Sequence, residues 1–518
     1  MARKTKKNIL IILSDQQRYD TLGCNGNAAA KTPNIDALAS QSIVFDNCNT
    51  PYPLCCPARS SLWTGLLPHR HHVVENWRLI KPELRDRSLV DPFRKDGYHT
   101  FYTGKWHVPG TNPARWGFDH YSAIPAVLKG RDRGRYIVEY RDFVKSLGYN
   151  IVPDHIENLT RKDLENLNRP GKAPCATAEI KLEHYLETWQ TGQLLRALDL
   201  CPEERPFFGI CSYSAPHFPM VVPAPYDRLI SPDSVVLSPN FCSGETNKPE
   251  EAIKSKYHWG TKYFDEYEWR RLIAHYWGFC SLLDEQVGKI VEYLKSNNRF
   301  DDTIIVYTSD HGDMLGSHGL NQKNYTMHYE EVLRVPLIIS DPDHTSSRRV
   351  NGLVSLMDVM PTLGELVGIE AGDDSIDGTS AASLMTHPDH GGIHDYLVGE
   401  SFRFVEKVMG GGEEGGNGDY IDPEDLDPGK NSINLSVKTE KEKYIFHYRD
   451  QDELYDLFAD PYENINRMAV EGLKPEVHGY RNLIVDTLRS TSPVLADIVK
   501  KKIEEPGKGG RTPKGREN

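Results

Sequence analysis

The chain has 518 residues, 38% hydrophobic and 26% charged, with 74 acidic against 61 basic side chains and a formal charge of -13. That length buries a large core and suits two to four domains, or one large α/β domain with a small companion. The acidic excess excludes a general nucleic-acid binder, which shows a basic surplus or stripe, and no stretch approaches the roughly 18 apolar residues of a membrane span.

The opening Met1–Lys7 is basic like a signal peptide, but the apolar run Ile9–Leu13 is too short for one and ends in Ser14-Asp15, so it reads as a first strand. Nine cysteines, an odd number, show no paired-framework spacing; this suits a reducing compartment and predicts a cytoplasmic location, with a periplasmic or secreted one the alternative if a signal has been removed. Cys55 and Cys56 precede Pro57, which fits the first position of a helix because its fixed φ helps there and its missing N–H is not needed. Arg59 lies one turn on. A cysteine at a helix N-terminus beside a guanidinium is in the electropositive setting that activates thiols and attracts anions.

Short β-rich runs then alternate with helical patterns, the signature of an α/β fold with a large, mostly parallel sheet covered by helices. What ends each run is informative. Asn8–Leu13 leads into Asp15-Gln16, His99–Thr103 into Lys105 and His107, Pro206–Ser212 into His217, and Thr303–Thr308 into Asp310-His311. Ligands of open α/β sheets bind outside the carboxyl ends of the strands, so these four ends point to one shared polar site. From Leu283, the residues Val287, Ile290, Val291 and Leu294 recur at helical spacing and predict a crossover helix into the strand at 303. Val335–Ser340 reads as a strand and Leu353–Leu366 as a helix or turn–helix.

Residues from about 120 to 200 are polar and turn-rich, above all Gly130–Arg135 and Asn166–Pro174, and read as an insertion shaping the site mouth, with a second lid candidate from about 225 to 262. Gly410–Gly418 is a flexible loop by composition. Tyr444–Tyr448 and Glu453–Leu457 predict strands of a smaller C-terminal unit, followed by a helix near 474 to 490. The divisions are a catalytic domain over 1–390, a subdomain over 391–503, and a tail over 504–518 whose composition predicts disorder.

Asp15, Gln16 and Asp310 offer oxygen donors for a hard cation such as Ca2+ or Mg2+, while His311 adds a nitrogen that draws toward Mn2+ or Zn2+. Taken singly, each pair is an ordinary turn or cap. Arg59, Lys105 and Lys323 are cations able to hold a tetrahedral oxyanion, and His107 and His217 are an acid and base that titrate near neutrality.

Cys55-Cys-Pro57-Ala-Arg59 followed by Leu62-Trp-Thr64-Gly65 resembles the signature of the type I sulfatases of the alkaline phosphatase superfamily. The resemblance extends to Asp15-Gln16, Gly104-Lys105-Trp106-His107, Ala215-Pro216-His217, Asp310-His311-Gly312, Gln322-Lys323 and Glu453–Pro461, and covers about residues 8 to 470. It implies an alkaline-phosphatase-like sheet sandwiched by helices with a C-terminal α+β unit holding an antiparallel sheet. It implies oxidation of Cys55, rather than Cys56, to formylglycine, whose hydrated form is held on one divalent metal, Ca2+ foremost with Mg2+ or Mn2+ as alternatives. The metal ligands carry over to Asp15, Gln16, the converted Cys55, Asp310 and His311, and the charge-balancing and proton-transfer roles to Arg59, Lys105, Lys323, His107 and His217.

As partners it implies a small-molecule or oligosaccharide sulfate ester, carbohydrate sulfates being the commonest class, and a formylglycine-generating enzyme, with a homo-oligomer left open and no nucleic acid or membrane. Gln16 departs from the second Asp of many members, removing one ligand charge, and Ala58 replaces a frequent Ser. Phosphonate monoester and phosphodiester hydrolases of the superfamily often carry Asp-Gln at that pair and are the alternative, although the Gly-Lys-Trp-His element favours sulfate. A non-catalytic relative would keep the scaffold without the intact set of candidate groups.

Overall fold

The central run of the first strand alternates sides. Ile9, Ile11 and Leu13 pack into one apolar cluster with Cys56, Leu62 and Trp63, while Leu10 and Ile12 pack into another with Leu194, Leu283 and Val287. A strand buried on both faces needs helices on both faces, and this computed structural model has them. It describes residues 6–504 apart from 77, 125–134, 152–158, 168–171, 242, 244–247, 259–260, 345–346, 373–374, 387–391, 405–421, 428–429 and 470–473. The polar stretch at 130–135 (but for its last residue), the loop at 410–418 and the tail beyond 504 lie outside the described residues.

In chain order the strands are β1 (Asn8–Ser14), β2 (Ile43–Asn49), β3 (His99–Lys105), β4 (His120–Ile124), β5 (Cys175–Thr177), β6 (Phe207–Ser212) and β7 (Met220–Val222). They continue with β8 (Thr303–Ser309), β9 (Leu337–Ser340), β10 (Arg348–Ser355), β11 (Leu397–Arg403), β12 (Ser432–Lys438), β13 (Glu442–His447) and β14 (Glu453–Asp456). The main sheet runs β10-β2-β9-β8-β1-β6-β3-β4. It is mostly parallel; β9 is antiparallel to β2 and β8. β8, β1, β6 and β3 are parallel neighbours, with Ser14 opposite Ser309, Leu13 opposite Ser212 and Gly104 opposite Ser212. The four strands whose ends carry the polar residues therefore finish side by side on one edge. The remaining strands form the antiparallel sheet β11-β12-β13-β14 and the pair β5-β7.

Three expectations are corrected. The crossover helix starts well before Leu283, spanning Glu266–Ser296 with Asp265 accepting from the Glu268 N–H as its N-cap. Leu353 belongs to β10, and the helix at Val359–Val367 starts only after a short turn in which Ser355 and Asp358 form a reciprocal capping box. The 120–200 stretch is not one insertion: His120–Ile124 pairs with β3, and the helix Leu186–Asp199 buries Leu194 and Leu198 against the main sheet.

The C-terminal sheet is covered by helices Lys474–Arg489 and Pro493–Glu504 over a core that includes Ile433, Leu435, Tyr444, Leu454, Ile484 and Leu495. Its other side grips the segment that follows Lys323. The Tyr329 hydroxyl donates to Glu453 at 2.8 Å, the Glu330 N–H to Glu463 at 2.8 Å, and Lys438 and Lys443 pair with Glu330 at 2.7 and 3.1 Å. Among the described residues no helix is long and apolar enough to cross a membrane.

Candidate active site

The helix Cys55–Thr64 starts with the cysteine itself, two residues earlier than Pro57 suggested, and all ten of its residues are buried. Its N-cap Leu54 offers no side-chain acceptor, so the Cys56 N–H is met by Asn76 Oδ1 at 3.0 Å. Cys56 lies in the core cluster of Leu62 and Trp63, whereas the Cys55 Sγ lies 3.1 Å from His311 Nε2 and 3.8 Å from Asp15 Oδ1.

Arg59, one turn into this helix, is fully buried and gives its Nε to Asp310 Oδ2 at 2.8 Å and an NH2 hydrogen to Asp15 Oδ2 at 2.9 Å. Its NH1 donates to the Lys105 carbonyl at 2.9 Å and to Ser212 Oγ at 2.7 Å. One guanidinium thus ties together the ends of β1, β3, β6 and β8. Lys105 Nζ adds a second ion pair to Asp15 at 2.7 Å. Burial pushes the Asp15 carboxyl up, but Lys105, His217, Arg59 and His311 outweigh it and hold the group well below the usual range. On Cys55, burial and Asp15 raise the thiol, and Lys323, Lys105 and His311 more than reverse this.

The ligand atoms of Asp15, Cys55, Asp310 and His311 lie within 4.8 Å of one another, and all four residues are buried. This set could hold a metal ion. His311 Nδ1 lies 2.8 Å from the Gly312 carbonyl, so it carries the proton and leaves Nε2 facing the cluster. Gln16 adjoins it: its N–H donates to Asp310 Oδ1 at 3.0 Å, and its side-chain oxygen accepts from Lys323.

Lys323 Nζ also lies 3.1 Å from His217 Nε2, while His217 Nδ1 donates to the Phe218 carbonyl at 2.7 Å. His217 thus presents a lone pair to an ammonium. Burial, then Lys323 and Lys105, holds His217 well below the ordinary imidazole range; burial, Lys105 and Arg59 do the same to His107. Gln16, His107 and Gln322 have φ of 66°, 51° and 64°, a left-handed backbone that costs such residues of order 1 kcal/mol each and gathers at sites where geometry is imposed. Gly104 (φ 96°) makes room for the approach of β6: a Cβ there would stand 1.9 Å from the Ser212 carbonyl oxygen.

Asp15, Gln16, Cys55, Arg59, Lys105, His107, His217, Asp310, His311 and Lys323 lie together here, whereas Cys56 turns into the core. Ser212, Asn76, Asp313, Gln322 and Glu187 were missed. Asp313 and Gln322 bond Gln16, and Glu187 accepts the Ala215 N–H at 3.0 Å while the Ala215 carbonyl accepts that of Asp15 at 3.1 Å. The signal available is position: Gln322 stands inside the Gln322-Lys323 motif, where it was given no role, and Asp313 directly follows Asp310-His311-Gly312.

A family profile described as Sulfatase matches residues 7–369. The chain is 26% identical to an ulvan-active sulfatase of Formosa agariphila, covering 96% of this chain and 83% of that one. It is 27% identical to an arylsulfatase of Clostridium perfringens, covering 95% and 96%. The crystal structure of the phosphonate monoester hydrolase of Agrobacterium radiobacter superposes with a TM-score of 0.73 at 26% identity, over 94% of this chain and 96% of that one.

Proposed function

This chain belongs to the sulfatase family and is a sulfuric ester hydrolase, and from that premise we propose that it cleaves a sulfate monoester of a carbohydrate, using a formylglycine made from Cys55. The observation that carries this is the buried cluster of Asp15, Cys55, Asp310 and His311, ringed by Lys105, Lys323, His107 and His217. The ulvan-active relative supports a carbohydrate ester, and the arylsulfatase relative makes aryl sulfates suitable reporters.

A divalent cation, Ca2+ first, would be held by Asp15, Gln16, Asp310, His311 and the converted Cys55, and would polarise the bound oxygens. Two carboxylates, an amide oxygen and an outward imidazole nitrogen suit such an ion, and the Arg59 bridge fixes both carboxylates in place. Converted and hydrated, Cys55 would supply two hydroxyls: one, giving up its proton, would form a bond to sulfur as the S–O bond to the alcohol breaks, and loss of the proton from the other would let the C–O bond to sulfate break and the aldehyde return. Lys105 and Lys323 offset charge on the sulfuryl oxygens. The Lys323–His217 pair delivers the proton to the departing alcohol oxygen. His107, kept neutral by burial and nearby cations, accepts the proton at release. Arg59 acts through the carboxylates it holds.

The test is the mass of the Cys55 peptide from the native host, together with aryl sulfate hydrolysis by the wild type and Cys55→Ala. An aldehyde at Cys55 and loss of turnover in the variant are expected; a native peptide that keeps its thiol sinks the proposal. The second reading, phosphonate monoester hydrolysis, is favoured by Asp15-Gln16 and by the Agrobacterium structure. An aryl phosphonate monoester cleaved much faster than the aryl sulfate would establish it instead.

A further inference from the structure

Asp313 lies two residues beyond His311, is wholly buried, and has no part in the roles above. Its Oδ1 accepts the Leu315 N–H at 2.7 Å and the Gln322 N–H at 3.1 Å, and its Oδ2 accepts from Gln16 Nε2. The second hydrogen of that amide goes to Gln322 Oε1 at 3.0 Å, and the amide oxygen accepts from Lys323. The base of the side chain is fixed too. The Gln16 N–H is held by Asp310 at 3.0 Å and its carbonyl by the Tyr276 hydroxyl at 2.5 Å. The Met314 N–H donates to the Gln322 carbonyl at 3.1 Å, which closes the loop and brings Gln322 and Lys323 back to Asp313.

A primary amide has a donor end and an acceptor end of nearly the same shape, so its neighbours decide which faces where. Turned over, Gln16 would set its oxygen against the Asp313 carboxylate and the Gln322 oxygen, and its two N–H groups against the Lys323 ammonium. The two charged neighbours, an Asp313 carboxylate that only accepts and a Lys323 ammonium that only donates, therefore enforce one orientation, and Gln322 follows it. A buried donor facing a donor loses its hydrogen bond with no water to replace it, which holds the amide in one state.

We propose that Asp313 is a positioning residue of the cation site, fixing the Gln16 amide so that its oxygen, and never its N–H, faces the ion. This rests on the reading that a divalent cation binds at Asp15, Cys55, Asp310 and His311. Gln16 then serves as a neutral hard ligand where an aspartate would add a charge, and the cation and Lys323 share its oxygen. Asp313 is the reason an amide works in that position.

The experiment measures Ca2+ and Mn2+ binding to chelator-stripped full-length protein by calorimetry, with the unfolding midpoint recorded with and without ion. It compares wild type, Asp313→Asn, Gln16→Glu and the double variant. In Asp313→Asn, Oδ1 keeps its two backbone bonds while the new NH2 confronts that of Gln16 and turns the amide over, so Ca2+ affinity should fall about 10- to 100-fold. Gln16→Glu alone sets two carboxylates together and should also weaken binding. The double variant exchanges donor and acceptor and should recover wild-type affinity or better, because the carboxylate introduced by Gln16→Glu adds a ligand charge. Wild-type affinity in Asp313→Asn overturns the proposal, as does a folded double variant that binds as weakly as Asp313→Asn. Should Asp313→Asn fail to fold, the double variant decides: folded with wild-type affinity it upholds the exchange, unfolded it overturns it. Wild-type protein that takes up neither ion overturns the cation reading itself, a result separate from any difference among variants.

Discussion

Glu187 touches none of the reacting groups, yet it reaches them through one peptide. It holds the Ala215 N–H, the Ala215 carbonyl holds the Asp15 N–H, and His217 follows two residues later. Burial pushes this carboxyl up to about 7 from an ordinary 4.5. The folded state therefore favours the protonated form, so its contribution to stability is complete below 4.5 and is lost as pH rises through about 7. Glu187→Gln keeps an oxygen for the Ala215 N–H and removes the titration. Unfolding free energies measured in denaturant from pH 4.5 to 8 should lose a downward slope worth about 3 kcal/mol in this variant. A slope equal to that of the wild type would assign the pH dependence elsewhere.

Among the elements, the strand ends carry the chemistry and the close approach of β3 to β6 aligns them. Gly104→Ala adds a Cβ 1.9 Å from the Ser212 carbonyl oxygen at a φ of 96°, so it should cost at least about 3 kcal/mol and displace Lys105. Thermal unfolding and turnover should fall together. β1, β3, β6 and β8 were legible because each is a short run rich in β-branched, aromatic or aliphatic residues, buried on both faces and followed by polar residues. β2 was not, since Ile43–Phe45 gives way to Asp46 and Asn47 within the strand, and β10 opens on two arginines at the edge of the sheet. Asp15, Lys105, His107, His217, Asp310 and His311 were legible because they end or follow those strands, whereas Cys55, Arg59 and Lys323 were legible only through the motifs that hold them. Asp313, Gln322, Asn76 and Glu187 were not, because a polar residue in a loop or a helix carries no pattern that tells an exposed one from one the fold will bury.

Across the whole molecule, the C-terminal sheet does more than cover apolar surface: it secures the segment that presents Lys323. Lys443 is wholly buried and pairs with Glu330 at 3.1 Å and Glu463 at 2.7 Å, one glutamate from each side of that junction. Removing Lys443 leaves the buried Glu463 without its ion-pair partner, while Glu330 keeps only Lys438 at 2.7 Å. Lys443→Ala should therefore cost about 3–5 kcal/mol, with loss of turnover in the folded fraction as the Lys323 segment loosens. Unfolding in denaturant and activity per folded molecule measure the two effects separately. The burial of the helix that starts at Cys55 also sets an order of events. Cys55, Pro57 and Arg59 are all buried once the chain has folded, and Arg59 is held by groups from four strands. If Cys55 is converted as proposed, the enzyme responsible would have to meet it on a chain still unfolded, in a race between oxidation and folding that the finished protein could not rerun. Protein made without that enzyme and then incubated with it in the folded state should stay a thiol at Cys55, whereas the same protein treated while denatured, or during synthesis, should gain the aldehyde.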